Sequence, residues 1–179
     1  MNTFLPTDNI PECPKYLDKR RCLKQVVECW QILNILQHPK PFGRWNNHPC
    51  IRMWRGHGDC LQWYYNEFYN YCKEYHKIKF KKLPAPVLLP KYIIYPRWLG
   101  YQPLHHAYRS NLCRKALNDM SKGSTELSDN LAKMGVVICD INDIIGYNLN
   151  DSYIWPVDKN GQLLLEIVEW HEYRTKFYR

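Results

Sequence analysis

The sequence predicts a mainly α, compact single-domain fold with a long first helix, proline-rich loops and room for a short C-terminal hairpin. Three observations lead there. The chain has 179 residues, the size of one ordinary domain. Its 45% hydrophobic and 15% aromatic content suits a packed core rather than a disordered tail. Apolar residues recur at intervals of three and four over two long runs, and prolines cut the remainder into short pieces.

The elements follow in order. "DNIPECPKY" is punctuated by two prolines three apart and predicts a short loop or a single turn. Asp18 is placed to cap a helix running to about Gln37, with Leu23, Val26, Val27, Trp30 and Leu33 on one face. "HPKPFGRWNNHP" breaks it, and Asn47 with Pro49 just inside predicts a short helix through "CIRMW". A further helix is expected from Asp59 to about Ile78, burying Leu61, Tyr64, Tyr65, Phe68, Cys72 and Tyr75 and leaving Trp63 and Tyr71 off the stripe.

The proline-rich stretch after it, headed by Lys77, Lys79, Lys81 and Lys82, predicts an extended crossing loop with a short strand around Tyr92 to Tyr95. Pro103 can open a helix from Gln102, packed through Leu104, Tyr108, Leu112 and Leu117. "TELSDNLAKMG" reads as a capped helix ending at Gly135, followed by a strand in "VVICDIN". "YIWPVDKNGQLLLEIVEW" reads as a strand, a turn at Asn160-Gly161, and a second strand or a final helix.

Charge narrows the partners. The net charge is +8, and through Met120 there are 19 Lys+Arg against 8 Asp+Glu, whereas 6 stand against 9 after it. The basic part is the expected footprint of a polyanion, nucleic acid before an anionic membrane, because no cationic helix carries an uninterrupted apolar face. The start has no positively charged leader followed by a long apolar run, so an intracellular setting is expected, cytoplasmic or, for a viral protein, the host cell or virion. In that reducing setting the eight cysteines should be free thiols, mostly small core residues. They form no Cys-x-x-Cys pair and no close Cys/His quartet, so neither a metal nor a cofactor is expected.

On a helical wheel Arg21, Lys24, Gln25, Glu28 and Gln31 fall together, opposite the apolar stripe, with Glu28 the one acid. Two readings stay open: a solvated Lys24–Glu28 pair worth about 0.3 kcal/mol, or a catalytic acid among bases. "NNHPCIRMWRGHGD" gathers His48, Arg52, Arg55 and His57 beside Trp45 and Trp54, which could hold a phosphate and stack a base, or be a capped loop over core tryptophans. "LHHAYRSNLCRKAL" adds His105, His106, Arg109, Arg114 and Lys115, better suited to hydrogen bonding or phosphate contact than to metal. No glycine-rich nucleotide loop, nucleophile elbow or His-Glu-x-x-His motif occurs.

Taken together, "MNTFLP", "LDKRRCLKQVVECWQIL", "HPCIRMWRGH", "PRWLGYQPLHHAYRSNLCRK" and "YIWP" resemble the pyrimidine-dimer DNA glycosylase (endonuclease V-like) family, in a microbial and viral branch. The similarity covers roughly residues 1–78 and 96–115 and then "YIWP", within one domain over 1–179; about 119–150 looks like an insertion. The resemblance implies a compact, mainly α domain, a monomer, acting on damaged or abasic double-stranded DNA as a glycosylase with AP-lyase activity. It implies attack by the N-terminal amine, at Met1 or Asn2, on the sugar C1′, an imine intermediate, and a supporting glutamate at Glu28. Phosphates would fall to Arg20, Arg21, Lys24, Arg52, Arg55, His57, Arg109, Arg114 and Lys115.

The chemistry has its own logic. An α-amine titrates at about 7.7–8, so a useful fraction is nucleophilic near neutral pH, unlike lysine at about 10.4. A carboxylate beside it can stabilise developing positive charge and move a proton. The sequence also departs from the family pattern: Asn2 is larger than the small second residue that permits methionine removal, and Val27 and Gln31 stand where the family carries two arginines beside its glutamate. A nucleic-acid-binding protein without chemistry is the alternative that Asn2 favours.

Overall fold

Asp18 begins the first long helix as anticipated: its carboxylate accepts from the Arg21 backbone N–H, satisfying one of the free donors at the helix start. The computed structural model describes residues 1–38, 43–136 and 153–177. After a 3-10 helix at Ile10–Tyr16, the chain forms α1 (Lys19–Gln37), α2 (Pro49–Trp54), α3 (Gly58–Glu74), α4 (Gln102–Met120), α5 (Glu126–Lys133) and α6 (Leu165–Phe177). The fold is mainly α, and no strand occurs among the described residues beyond one isolated antiparallel bridge, Val157 to Leu163. No described helix is long and apolar enough to cross a membrane.

α1 packs along α3, and the 3-10 helix packs against α3 and α5. α4 is buried on most sides, through Leu104, His105, Ala107, Tyr108, Ser110, Asn111, Leu112, Cys113 and Ala116. Aromatic rings fill the centre: Trp54 meets Trp98 edge-on at 5.0 Å, and Tyr64 lies 4.5 Å from Phe68. One hydrophobic core runs from Phe4 to Ile167. The seven described cysteines are buried and free. Burial pushes the Cys50 and Cys60 thiols up to about 12 and Cys113 to about 11, so they serve as packing groups rather than nucleophiles.

Several boundaries differ from the sequence expectation. α1 buries Cys22, Gln25, Val26, Cys29, Ile32 and Leu33 while Leu23 and Trp30 are exposed. The buried stripe is rotated toward the cysteines and Gln25, because the N-terminal segment packs there. α2 is capped by His48, one residue after Asn47, whose ring accepts from the Cys50 N–H. α3 stops at Glu74, and Tyr75 is exposed and stacks on Tyr71 outside the core. No strand forms around Tyr92 to Tyr95: prolines at 84, 86, 90 and 96 remove donors, and no strand among the described residues pairs with it. The anticipated C-terminal hairpin reduces to the single bridge and the turn through Gly161, and the chain continues as α6.

α5 ends as anticipated at Gly135, whose φ of +75° admits the left-handed closure. There the Val136 N–H bonds to the Leu131 carbonyl and the Gly135 N–H to Ala132, a Schellman pair with Val136 and Leu131 both buried. Residues 137–150, which hold "VVICDIN" after Val136 and the later part of the anticipated insertion, lie outside the described residues. The described part of that region braces α1: Glu126 accepts from the Lys19 N–H at 2.9 Å, and Asn130 donates to the Leu17 carbonyl.

Asp119, the last acid of α4, accepts from Arg21 at 2.6 Å and Arg20 at 3.4 Å, tying α4 to α1. The Arg21 hydrogen bond holds its carboxyl below the usual carboxylate range. A depressed folded value makes this contribution full above about pH 4 and lost as pH falls through the folded value. Asp119→Asn is therefore expected to lower the urea midpoint at pH 7, with the difference from wild type shrinking as the measurement moves below about pH 4.

Candidate active site

Residues 2–6 belong to no helix or strand and lie against α1, α3 and α4, with Thr3 and Leu5 fully buried and Phe4 nearly so. No strand among the described residues pairs with them, and side chains satisfy their backbone. The Phe4 N–H donates to Gln25 Oε1 at 2.8 Å, and the Tyr64 hydroxyl sits 3.0 Å from the Phe4 carbonyl and 2.7 Å from the same Gln25 oxygen. The Leu5 carbonyl meets His105 Nδ1 at 2.8 Å. Arg109 donates to the Pro6 carbonyl. Trp54 Nε1 donates to the Thr3 hydroxyl at 3.0 Å.

The roles of His105 follow from its partners. Nε2 accepts from the Gly100 N–H at 3.0 Å, so Nδ1 carries the proton and donates to Leu5. Burial lowers its pKa, which agrees with a neutral ring.

Gln25 is oriented by the same logic. Its oxygen faces the Phe4 N–H and the Tyr64 hydroxyl, so its amide nitrogen faces Glu28 Oε2, at 3.4 Å. Glu28 lies three residues along the helix, on the same side, with its side chain 13% exposed. The Asn2 backbone N–H donates to Glu28 Oε2 at 3.2 Å, and the Met1 amine stands 3.6 Å from Oε1. Lys24 Nζ lies 3.8 Å from Oε1 but is itself 67% exposed. The solvated-pair reading of Glu28 thus gives way to an acid sheltered against the chain terminus.

These groups open into a cleft of about 360 Å³ lined by Met1, Glu28, Trp30, Gln31, Asn34, Ile35 and Trp45. Trp30 and Trp45 are 37% and 48% exposed, so aromatic faces are available beside the carboxylate. His48 lies 5.6 Å from Trp45 and 5.9 Å from Trp155, ring to ring. Its pKa is lowered, by burial first and then by the terminal ammonium and Arg52. Asn2 Oδ1 accepts from the Tyr108 hydroxyl at 3.3 Å, and Tyr108 packs on Tyr153 at 5.5 Å. A second cleft of about 390 Å³, lined by Leu33, Leu36, Trp54 and Arg55 among others, holds no acid to pair with its arginine.

The nominated basic residues separate into groups. Lys115 has its pKa lowered by burial and then by Arg114, Arg21 and Lys24, the signature of cations gathered on one face. It also lies over the Tyr153 ring at 6.0 Å. Arg21 in that group is bound by Asp18 and Asp119, Arg20 by Asp119, and Arg114 by Asn111 Oδ1 at 2.7 Å. Arg52 donates to the Asn47 carbonyl and Arg55 to the Asn46 carbonyl, both bracing the loop before α2. His57 is half-buried at the start of α3, its pKa lowered by burial. Arg109 is directed inward at Pro6.

Sequence reasoning did not single out Gln25 as a support, nor Tyr108 and Tyr153 as neighbours of Asn2. For Gln25 the available signal was its spacing of three from Glu28, on a helix whose cysteines mark the buried side. Tyr153 belongs to "YIWP", a patch the resemblance had already isolated.

Residues 1–81 match the family model described as pyrimidine dimer DNA glycosylase. No curated protein and no solved structure matches the chain.

Gln25→Leu keeps the volume but strands the Phe4 N–H and removes the Gln25–Glu28 contact. A loss of about 2 kcal/mol in urea unfolding is expected, since a buried donor is left without a partner.

Proposed function

We propose, from the match of residues 1–81 to the pyrimidine dimer DNA glycosylase family model, that the chain is an intracellular DNA repair enzyme of that family, a glycosylase with AP-lyase activity acting as a monomer on pyrimidine dimers in double-stranded DNA. The observation that carries this reading is the Glu28 carboxylate set between the first two backbone nitrogens, 3.6 Å from Met1 and 3.2 Å from Asn2.

In this mechanism the nucleotide leaves the stack and its sugar enters the cleft beside Glu28. The terminal amine, neutral at the moment of attack, forms a bond to C1′ as the glycosidic bond breaks; the base leaves with the electron pair and takes a proton. Opening of the C1′–O4′ bond, with a proton delivered to O4′, converts the adduct to an iminium ion. Glu28 stabilises that cation and carries the protons. Loss of a C2′ proton then expels the 3′ phosphate oxygen, cutting the strand, and water hydrolyses the imine to free the amine.

Trp30 and Trp45 offer surfaces for unstacked bases, and Arg21, Lys24, Arg114 and Lys115 supply positive charge on one side of the site. Arg52 supplies it near His48. Val27 and Gln31 stand where the resemblance leads one to expect arginines beside Glu28, and Lys24, 3.8 Å from the carboxylate, supplies positive charge in their place. Arg20, Arg55, His57 and Arg109 are proposed as further phosphate contacts; those now bound to backbone carbonyls must exchange partners to serve.

A second reading, nucleic-acid binding without chemistry, is favoured by Met1 itself. Its side chain is 7% exposed and lines the cleft, in space the sugar needs. The two readings diverge at Glu28: binding alone predicts that Glu28→Gln is neutral or tightens DNA, because an acid facing phosphate only repels.

Borohydride reduction on abasic or dimer-containing duplex is expected to yield a covalent protein–DNA species, cut by Glu28→Gln by on the order of 10² to 10³ in rate. Mass analysis of the trapped N-terminal peptide assigns the nucleophile to Met1 or to Asn2. Absence of any trapped species from wild-type protein would overturn the lyase reading.

A further inference from the structure

The connector between α3 and α4 faces solvent in a manner that the chemistry at Glu28 does not use. Leu88 is 99% exposed, Tyr92 78% and Ile94 74%. Free apolar side chains in this number, close in sequence, are unfavourable unless something covers them. The same stretch, residues 77–97, carries Lys77, Lys79, Lys81, Lys82, Lys91 and Arg97 and no acid.

The connector is nevertheless fastened to the domain. The Tyr65 hydroxyl donates to the Pro84 carbonyl at 2.6 Å, and the Asn66 amide donates to the Val87 carbonyl at 2.8 Å. Tyr69 stacks on Phe80 at 4.3 Å, and Trp63 meets Tyr95 edge-on at 6.0 Å. Prolines at 84, 86, 90 and 96 restrict the backbone on either side of Leu88 and Tyr92. The result is a strap tied to α3 at four points while Leu88, Tyr92 and Ile94 stay exposed between them.

Its position supplies the partner. A small groove is lined by Trp30 and Asn34 of α1 together with Pro84, Ala85 and Val87 of the strap. Trp30 and Asn34 also line the Glu28 cleft. Leu88, next to Val87, therefore lies one groove away from the place where the nucleotide is proposed to enter.

We propose that the strap is a DNA wedge: Leu88 enters the base stack beside the extruded nucleotide, Tyr92 and Ile94 pack on the neighbouring sugars, and Lys79, Lys81 and Lys82 neutralise the flanking phosphates. The proposal rests on the reading of duplex DNA as substrate. Apolar side chains inserted between base steps are an established way to unstack and kink a duplex, and the open stack left by a flipped nucleotide is where such insertion is cheapest. A second copy of the chain fits less well, since a two-fold contact through this patch would face six cations with six. An anionic membrane would explain the charge but not the continuity with the Glu28 cleft.

The test uses the full chain and a duplex holding a tetrahydrofuran abasic analogue, which cannot form an imine, with 2-aminopurine beside it. Wild-type protein is expected to raise the 2-aminopurine fluorescence. Leu88→Ala and Tyr92→Ala should abolish that rise and weaken binding on the order of tenfold, with unchanged urea midpoints because both side chains are exposed. Replacing Lys79, Lys81 and Lys82 together by alanine should flatten the slope of log K against log salt by about three.

Fluorescence and affinity unchanged in Leu88→Ala and Tyr92→Ala overturn the wedge. So does a dimer in sedimentation, or binding to phosphatidylserine vesicles, that needs Leu88 while duplex binding does not. Glu28→Gln separates the two ideas: it should lose trapping on natural abasic DNA yet keep the fluorescence rise. A Glu28→Gln protein that traps as well as wild type removes the catalytic reading and leaves the wedge standing, and failure to bind duplex at all removes both.

Discussion

The backbone of residues 2–6 is the constraint on which the rest of the site depends. A segment outside any helix or strand, buried among helices, has no ladder to satisfy its N–H and C=O groups, and each one left unpaired costs about 1–3 kcal/mol. Side chains of α1, α3 and α4 take the place of a neighbouring strand, with Gln25, Tyr64, His105 and Arg109 each meeting one backbone group of this segment. These contacts explain why fully buried positions are occupied by Gln25 and His105, residues seldom found there unless paired. They also explain why α4, expected to pack through Leu104, Tyr108, Leu112 and Leu117, turns His105 and Arg109 inward as well.

Once that segment is fixed, the chain terminus is fixed with it. Glu28 meets the terminus because Gln25, one turn earlier on the same face, already holds Phe4. The two side chains form a unit: the glutamine oxygen is committed to Phe4 and Tyr64, which leaves its nitrogen to support the carboxylate. A glutamate here would repel Glu28, and a leucine would leave the Phe4 N–H unpaired. The polar side of α1 that a wheel diagram assigns to solvent is therefore in part an interior surface, covered by the chain's own beginning.

This is also where the sequence was legible and where it was not. The helices could be read because caps and breaks are local: Asp18 before α1, Pro49 and Pro103 in first turns, Gly135 after α5. Glu28 stood out as a lone acid among bases, and the resemblance supplied the role proposed for it. The rotation of the buried stripe, with Leu23 and Trp30 outside and Gln25 inside, depends on a contact between residues about twenty positions apart, to which helical periodicity is blind. The strand anticipated near Tyr92 failed for a similar reason: β-branched and aromatic residues need a partner strand, and none is present there.

The geometry of α1 and the terminal segment bears on which nitrogen the proposed imine chemistry would use. The two run in opposite senses, Phe4 against Gln25 and Asn2 against Glu28. Two residues advance at most about 6.6 Å when stretched, and three helical residues about 4.5 Å, a difference that the reach of the Gln25 and Glu28 side chains absorbs. One further residue of chain moves the amine by about 3.3 Å, roughly the step from one oxygen of a carboxylate to a position beside the other. That is the arrangement seen, Asn2 on Oε2 and Met1 on Oε1. The clamp acts on residues 3–6 and is indifferent to what precedes them, so removal of Met1 would leave the Asn2 nitrogen beside the same carboxylate. What changes is the cleft: Met1 fills part of it, and its loss would open that volume to a sugar while Trp30, Trp45 and Glu28 stay where the helices hold them.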